Sequence, residues 1–241
     1  MSPHVVFAHG FTQTSRSWDQ LRQLLADHGV TDSVAVDLPG HGSAAAVAHD
    51  LWGSADHLVD AGGVGTYVGY SMGGRVALHA ALAHPDAVER LVLIGATAGI
   101  DDPDERAARV DSDELLAHRI ESIGVEDFVS EWLASPMFAG LDEPRAQRAD
   151  RHRNTVDGLA ASLRRAGAGA QEPVWHRLGE LAMPVLILVG EFDSKFRAIG
   201  GRLADAIPDV QLRVIAGAGH SVHLEQPETT AQALADWLPA A

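Results

Sequence analysis

The six residues Gly69-Tyr70-Ser71-Met72-Gly73-Gly74 constrain this chain more than any others. An apolar run of strand length, residues 64–68, leads into them, and Arg75, Val76, Ala77, Leu78, Ala80 and Ala81 follow with helical character. Gly-x-Ser-x-Gly between a strand and a helix is the pattern of a nucleophile elbow. Such a turn is so tight that the serine takes a strained backbone conformation and only small residues fit two positions to either side. The strain lifts the hydroxyl clear of the sheet, at the N-terminus of the next helix. There the helix dipole and the free N–H of Met72 favour negative charge. The alternative is a glycine-rich turn with a chance serine, and the rest of the chain decides between the two.

With 241 residues the chain can form one large α/β domain, or a core domain carrying an insertion. It has no cysteine, which excludes disulfides, thiolate metal sites and cysteine nucleophiles. The formal charge of −15 argues against nucleic acid or an anionic membrane as a partner. A small anionic substrate stays open, because a local arginine cluster overrides the overall field. Lys195 is the only lysine. Met1-Ser2-Pro3-His4 carries no basic region and no long apolar run, so it does not read as a signal peptide. No stretch reaches the roughly 18–20 apolar residues of a membrane span. A cytoplasmic protein is expected.

The grammar of strand, helix, strand, helix runs through the first hundred residues. Residues 4–8 read as a strand followed at once by His9-Gly10-Phe11-Thr12. A helix is expected over 15–28, a strand over 33–36 and a helix over 49–61. The elbow follows, and then a continuous apolar strand over 88–95. From residue 101 to about 181 no strand-like run occurs; helical patterns and a dense set of arginines replace it. The sheet pattern returns with strands at 185–189 and 210–215 and helices at 196–206 and 228–238. The reading is therefore an α/β fold with a mostly parallel central sheet and flanking helices. Residues 1–100 and 182–241 form the core, and 101–181 an inserted helical cap.

A serine hydroxyl needs an imidazole to take its proton, and the imidazole needs a carboxylate to fix its tautomer. In a fold with this elbow those groups come from loops after later strands, in the order serine, acid, histidine. Ser71, Asp193 and His220 satisfy that order, in Gly190-Glu191-Phe192-Asp193 and Gly217-Ala218-Gly219-His220. The second oxyanion donor, beside Met72, is expected from the loop after the first strand and is assigned to Phe11. Asp101 and Asp102 are the alternative acid. His41 and His223 are the competing histidines, the latter expected to pack on the final helix. No metal-ligand spacing is present, so neither metal nor cofactor is expected.

His-Gly-Phe, Asp-Leu-Pro-Gly-His-Gly, Gly-Tyr-Ser-Met-Gly-Gly, Gly-Glu-Phe-Asp and Gly-His-Ser fall in the order of the α/β-hydrolase fold superfamily, which the whole chain resembles. A narrower resemblance runs through the cap. Glu-Arg-Ala-Ala-Arg-Val-Asp-Ser-Asp, Trp132 with Pro136-Met137-Phe138, Arg151 and Asn154 ahead of Leu-Ala-Ala-Ser-Leu, and Asp-Ser-Lys-Phe look like the 2-succinyl-6-hydroxy-2,4-cyclohexadiene-1-carboxylate synthase (MenH) family. That resemblance implies a lyase of menaquinone biosynthesis. Its triad would act as a base on a ring substrate, expelling pyruvate from an enolpyruvyl ether with no acyl-enzyme. It implies a small polycarboxylate substrate held by Arg75, Arg109, Arg151 and Lys195, with Tyr70 and Trp132 at aromatic pocket positions. Without it, Arg109 and Arg151 read as exposed cap arginines and Trp132 as cap core. A serine hydrolase acting on a small carboxylate-bearing ester or carbon–carbon bond is the alternative on the same triad. A non-catalytic binding module fits less well, since it need not keep the serine, acid and histidine together. Many superfamily members carry an antiparallel pair ahead of the His-Gly-Phe strand. This chain reaches that strand almost at once, so an exposed sheet edge is expected there.

Overall fold

The computed structural model describes residues 3–239. Six strands form one sheet: β1 (Val5–Ala8), β2 (Ser33–Val36), β3 (Gly65–Tyr70), β4 (Val88–Ile94), β5 (Val185–Gly190) and β6 (Val210–Ile215). Their order is β2-β1-β3-β4-β5-β6, and every neighbouring pair is parallel. β1 is therefore interior, and the edge strand on its side is β2.

Parallel strands need crossovers, and these put helices on both faces. The strands are accordingly apolar on both sides and divide by alternation. Val6, Ala8, Tyr67, Leu91, Leu93, Val185 and Ile187 join one core cluster, while Val5, Phe7, Val68, Tyr70, Val92, Ile94, Leu186 and Leu188 join the other. The first face is covered by α2 (Leu51–Gly62), α3 (Met72–Ala83) and α8 (Ser194–Ala206), the second by α1 (Asp19–Asp27) and α10 (Pro227–Ala235). Asp50 starts α2 by accepting the Gly53 N–H at 2.8 Å, an N-cap bond.

Between β4 and β5 lie α4 (Pro103–Leu133), α5 (Glu143–Ala146), α6 (Arg148–Arg151) and α7 (Val156–Ala166). α4 is broken at Gly124, whose φ of 80° is not helical. Its two halves close on α7 through Ala117, Ile120, Phe128, Leu159 and Leu163, a small core separate from the sheet. The expected cap extends too far at its C-terminal end. Val174, Leu178 and Leu181 sit in the sheet's core cluster, and the Val174 N–H donates to the Ala98 carbonyl at 2.8 Å. Two other boundaries shift. Residues 15–18 form a 3-10 turn ahead of α1, and a short helix α9 (Val222–Glu225) precedes α10. Among the described residues no helix is long and apolar enough to cross a membrane. Met1 and Ser2, read above for a targeting signal, lie outside them.

Candidate active site

Ser71 joins β3 to α3 with φ 51° and ψ −108°. A side chain held in such a sparsely populated region costs about 1–3 kcal/mol, which the surroundings must offset. They do so by close backbone packing. A Cβ on Gly69 would strike the Gly73 carbonyl, and a Cβ on Gly73 would strike the Ala8 carbonyl. The Ser71 N–H is anchored on the Ile94 carbonyl of β4 at 2.8 Å.

The loops after β5 and β6 bring up the other two groups. Asp193 caps α8 by accepting the Phe196 N–H at 3.1 Å. Its Oδ2 lies 2.6 Å from His220 Nδ1, and His220 Nε2 lies 3.3 Å from Ser71 Oγ. With the carboxylate accepting from Nδ1–H, Nε2 is free to take the serine proton. Burial favours the neutral Asp193 carboxyl. The bonds from His220 and Phe196 and the charge of Lys195 outweigh it and hold the pKa below the ordinary carboxylate value. The backbone on either side of His220 is fixed by Glu225, a buried side chain that accepts the N–H of Gly219 at 2.7 Å and of Ser221 at 2.9 Å.

Ser71 and His220 open into a cavity also lined by Phe11, Met72, Arg75, Arg109, Trp132, Met137, Lys195 and Phe196. Met72 begins α3, and Phe11 sits in the turn after β1. Among the described residues neither main-chain N–H donates to a protein acceptor. Three cations face the cavity. Arg75 is buried, and its Nη1 donates to the carbonyls of Ala166 (2.8 Å) and Gly167 (3.2 Å). Burial and the charge of Arg109 lower its pKa to about 10, so it remains protonated at neutral pH. Arg109 donates from Nε to Asp113 at 2.8 Å. Among the described residues Lys195 has no acidic partner. Positive charge thus collects around the cavity that Ser71 lines, in a chain whose net charge is −15.

Two expected substrate contacts are not on the cavity wall. The Tyr70 side chain turns beneath His220 and is held by Ser221 Oγ at 2.7 Å. Alternation along β3 puts residue 70 on the face opposite α3. Arg151 is 1% exposed; it donates to the Ala146 carbonyl at 2.8 Å and to Thr12 Oγ1. The Tyr70 hydroxyl is committed to Ser221, and Arg151 donates from Nε and Nη1 to protein partners, while among the described residues its buried Nη2 has none. Asp101, Asp102 and His41 are committed as well. Asp101 pairs with Arg202, and Asp102 caps α4. His41 accepts the Thr12 N–H at 3.3 Å. His223 lies between the rings of Trp18 and Tyr70 at 4.4 and 4.5 Å, and among the described residues neither of its ring nitrogens has a partner. Among the described residues no three metal-ligating side chains gather.

The sequence assigns no role to Glu225, and it marks Asn154 only as part of the cap resemblance, without a role at the site. Asn154 Nδ2 donates to the Thr12 carbonyl at 2.6 Å across 142 residues of chain, a contact with no local signature. Glu225 stands four residues after the Ser221 whose N–H it accepts, a spacing that many exposed helical glutamates share.

Residues 5–233 match the family described as the alpha/beta hydrolase family. The 2-succinyl-6-hydroxy-2,4-cyclohexadiene-1-carboxylate synthase of Enterobacter sp. (strain 638) is 34% identical over 245 residues, covering 98% of this chain and 92% of that protein. Among solved structures, MenH from S. aureus is similar with a TM-score of 0.89 at 29% identity, over 99% of this chain and 94% of that one. A thermophilic esterase from Thermogutta terrifontis is similar with a TM-score of 0.81 at 26% identity, over 98% of this chain and 89% of that one.

Proposed function

The chain belongs to the alpha/beta hydrolase family and, within it, to the 2-succinyl-6-hydroxy-2,4-cyclohexadiene-1-carboxylate synthases, and from that premise we propose its reaction and the roles of its residues. It is a carbon–oxygen lyase of menaquinone biosynthesis. It eliminates pyruvate from 2-succinyl-5-enolpyruvyl-6-hydroxy-3-cyclohexene-1-carboxylate and leaves the 2,4-diene. The observation that carries the reading is a Ser71–His220 pair opening into a cavity ringed by Arg75, Arg109 and Lys195. An ordinary apolar ester has no use for three cations. A substrate with several carboxylates does.

The chemistry follows from the substrate's connectivity. The ring hydrogen at C2 is acidified by the succinyl ketone, and the 3-ene connects C2 to the ether at C5. His220 Nε2 takes the Ser71 proton, and the serine oxygen removes the C2 hydrogen. The electron pair becomes an enolate, whose oxygen accepts the N–H groups of Phe11 and Met72. The enolate then collapses to form C2=C3, the former C3=C4 pair forms C4=C5, and the C5–O bond breaks to expel enolpyruvate. That leaving group takes a proton at carbon and becomes pyruvate. Asp193 keeps His220 in the tautomer this needs and stabilises its charged form. The arginines and Lys195 bind the carboxylates and set the C2 hydrogen against Ser71, while Trp132 and Phe196 wall off water. The enzyme works in the cytoplasm on a small anionic substrate, with no nucleic-acid or membrane partner, as its net charge favours.

Pyruvate release from the enolpyruvyl substrate, measured beside hydrolysis of a short p-nitrophenyl ester, tests this. Wild type releases pyruvate rapidly, and Ser71→Ala loses at least ~10³-fold in kcat. Fast ester turnover without pyruvate moves the protein to the hydrolase reading on the same triad.

A further inference from the structure

Thr12 follows the proposed oxyanion donor Phe11 and has φ 67°, in the left-handed region that β-branched residues avoid. It is fully buried, and its N–H, carbonyl and hydroxyl are all held by side chains from elsewhere. The N–H donates to His41 Nε2, the carbonyl accepts from Asn154 Nδ2, and the hydroxyl accepts from Arg151 Nη1. Two residues on, Thr14 Oγ1 donates to Asp150 Oδ2 at 2.6 Å. Asp150, Arg151 and Asn154 all belong to α6 and the turn after it, in the insertion between β4 and β5.

We infer that Arg151 and Asn154 are positioning residues, which fix the Phe11 N–H toward Ser71 by clamping Thr12, and that the cap segment 150–154 thereby builds one side of the oxyanion site. The inference rests on the reading of Phe11 and Met72 as oxyanion donors. A loop stitched only to itself would hold a left-handed threonine poorly. Within the turn, the Gln13 N–H donates to the Gly10 carbonyl and Gln13 Oε1 accepts the Gly10 N–H, which shape it but do not touch Thr12. The outside bonds supply the missing constraint. Asn154 also accepts the Gly42 N–H at 2.9 Å and donates to the Arg151 carbonyl at 3.0 Å, so the clamp is itself anchored to the loop after β2. Arg151 is not among the residues that line the cavity. Its role runs through Thr12.

Phenylboronic acid reads the oxyanion site apart from the lyase reaction. The Ser71 oxygen adds to boron and its proton passes to His220, leaving a tetrahedral boronate with an oxygen placed for the two N–H donors. The experiment uses full-length Thr12→Val, which is isosteric and loses the hydroxyl, and Asn154→Asp, which keeps the acceptor for Gly42 and loses both donors. Each is first checked for wild-type near-UV circular dichroism. Both variants are expected to bind the boronate at least tenfold more weakly and to lose kcat for pyruvate release by a similar factor, with KM within twofold. Thr12→Ser, which keeps the hydroxyl, is expected to recover most of both losses. Boronate affinity within twofold of wild type in both variants overturns the inference, as does a rise in KM alone, which would make the segment a substrate contact. A wild-type protein that binds the boronate and releases no pyruvate would instead remove the lyase reading and leave the clamp to be judged by the boronate data.

Discussion

On the sheet side of the cavity, Ser71, Met72 and His220 are placed by main-chain packing. Gly69 and Gly73 abut carbonyls with no room for a methyl group, and the loop around His220 is pinned at two N–H groups by Glu225. On the cap side the polar groups are placed by side chains on helices that share a small core of their own. Many cap charges are exposed and pair with one another, such as Arg164 with Glu114 and Glu121. The sheet side is over-determined at backbone level and tolerates little. The cap side is held by exchangeable contacts and tolerates much, except at Arg109 on the cavity wall and at the buried Arg151 and Asn154 that hold Thr12. Under the proposed function the chemistry sits on the rigid wall together with Arg75 of α3 and Lys195 of α8, and the cap adds Arg109 to the same cavity.

The sharpest way to break that contrast is one methyl group on each wall. Gly73→Ala drives a Cβ into the Ala8 carbonyl, which cannot move without disturbing β1 and the elbow together. The expected loss is more than about 3 kcal/mol in urea unfolding, with pyruvate release falling in the protein that does fold. Leu115→Ala, on a cap side chain that is 71% exposed, should stay within about 0.5 kcal/mol. Equal effects at the two sites would mean that the elbow is not the constrained element this geometry makes it.

Next in size is the difference between cap arginines. Arg109→Ala removes a cation from the cavity and is expected to cost about 1.5–3 kcal/mol of substrate binding, read as a rise in KM with kcat changed less. Arg164→Ala breaks an exposed pairing with Glu114 and Glu121 and should leave KM unchanged. A KM rise of similar size in both would show a diffuse field steering the substrate rather than a contact by Arg109.

The same contrast explains what could be read in the chain beforehand. The elbow, the succession of strands along the chain and the serine, acid and histidine loops rest on local rules: glycine where a Cβ cannot fit, apolar runs for buried strands, a loop after each strand. Those rules leave marks within a few residues. Arg75 stands one helical turn after Ser71, but Arg109 and Arg151 look alike as residue types, and nothing local tells which of the two faces the cavity. The structure puts Arg109 and Arg75 on the wall and turns Arg151 onto Thr12, a partner 139 residues away. For Tyr70, which the resemblance puts at an aromatic pocket position, strand alternation sends the side chain to the face opposite α3, against the His220 ring. Val174, Leu178 and Leu181 lie in a stretch without strand pattern, yet the sheet's core claims them. A helical segment's apolar residues do not say which core they will join.

The smallest expected effect concerns acid, and it too divides the walls. His79 on α3 is buried against Trp52 and bonded through Nδ1 to the Arg75 carbonyl at 2.8 Å. Burial, with the charges of Arg75 and Arg177 adding to it, lowers its pKa to about 4, against about 6.5 in an unfolded chain. Above that unfolded value both states are neutral and the histidine adds no pH dependence. As pH falls toward 4, the unfolded chain binds a proton that the folded protein refuses. Stability then drops by about 1.4 kcal/mol per pH unit from this one group. His79→Gln removes the titration while leaving the other buried histidines in place, so their contributions cancel in the comparison. Whatever the variant loses at pH 7 in packing, its deficit relative to wild type should shrink by about 2 kcal/mol between pH 7 and pH 5 in urea unfolding. Parallel stability curves for the two proteins would mean that His79 is protonated in the folded state as readily as in the unfolded one. The wall carrying Ser71 would then owe none of its acid sensitivity to the helix that follows the elbow.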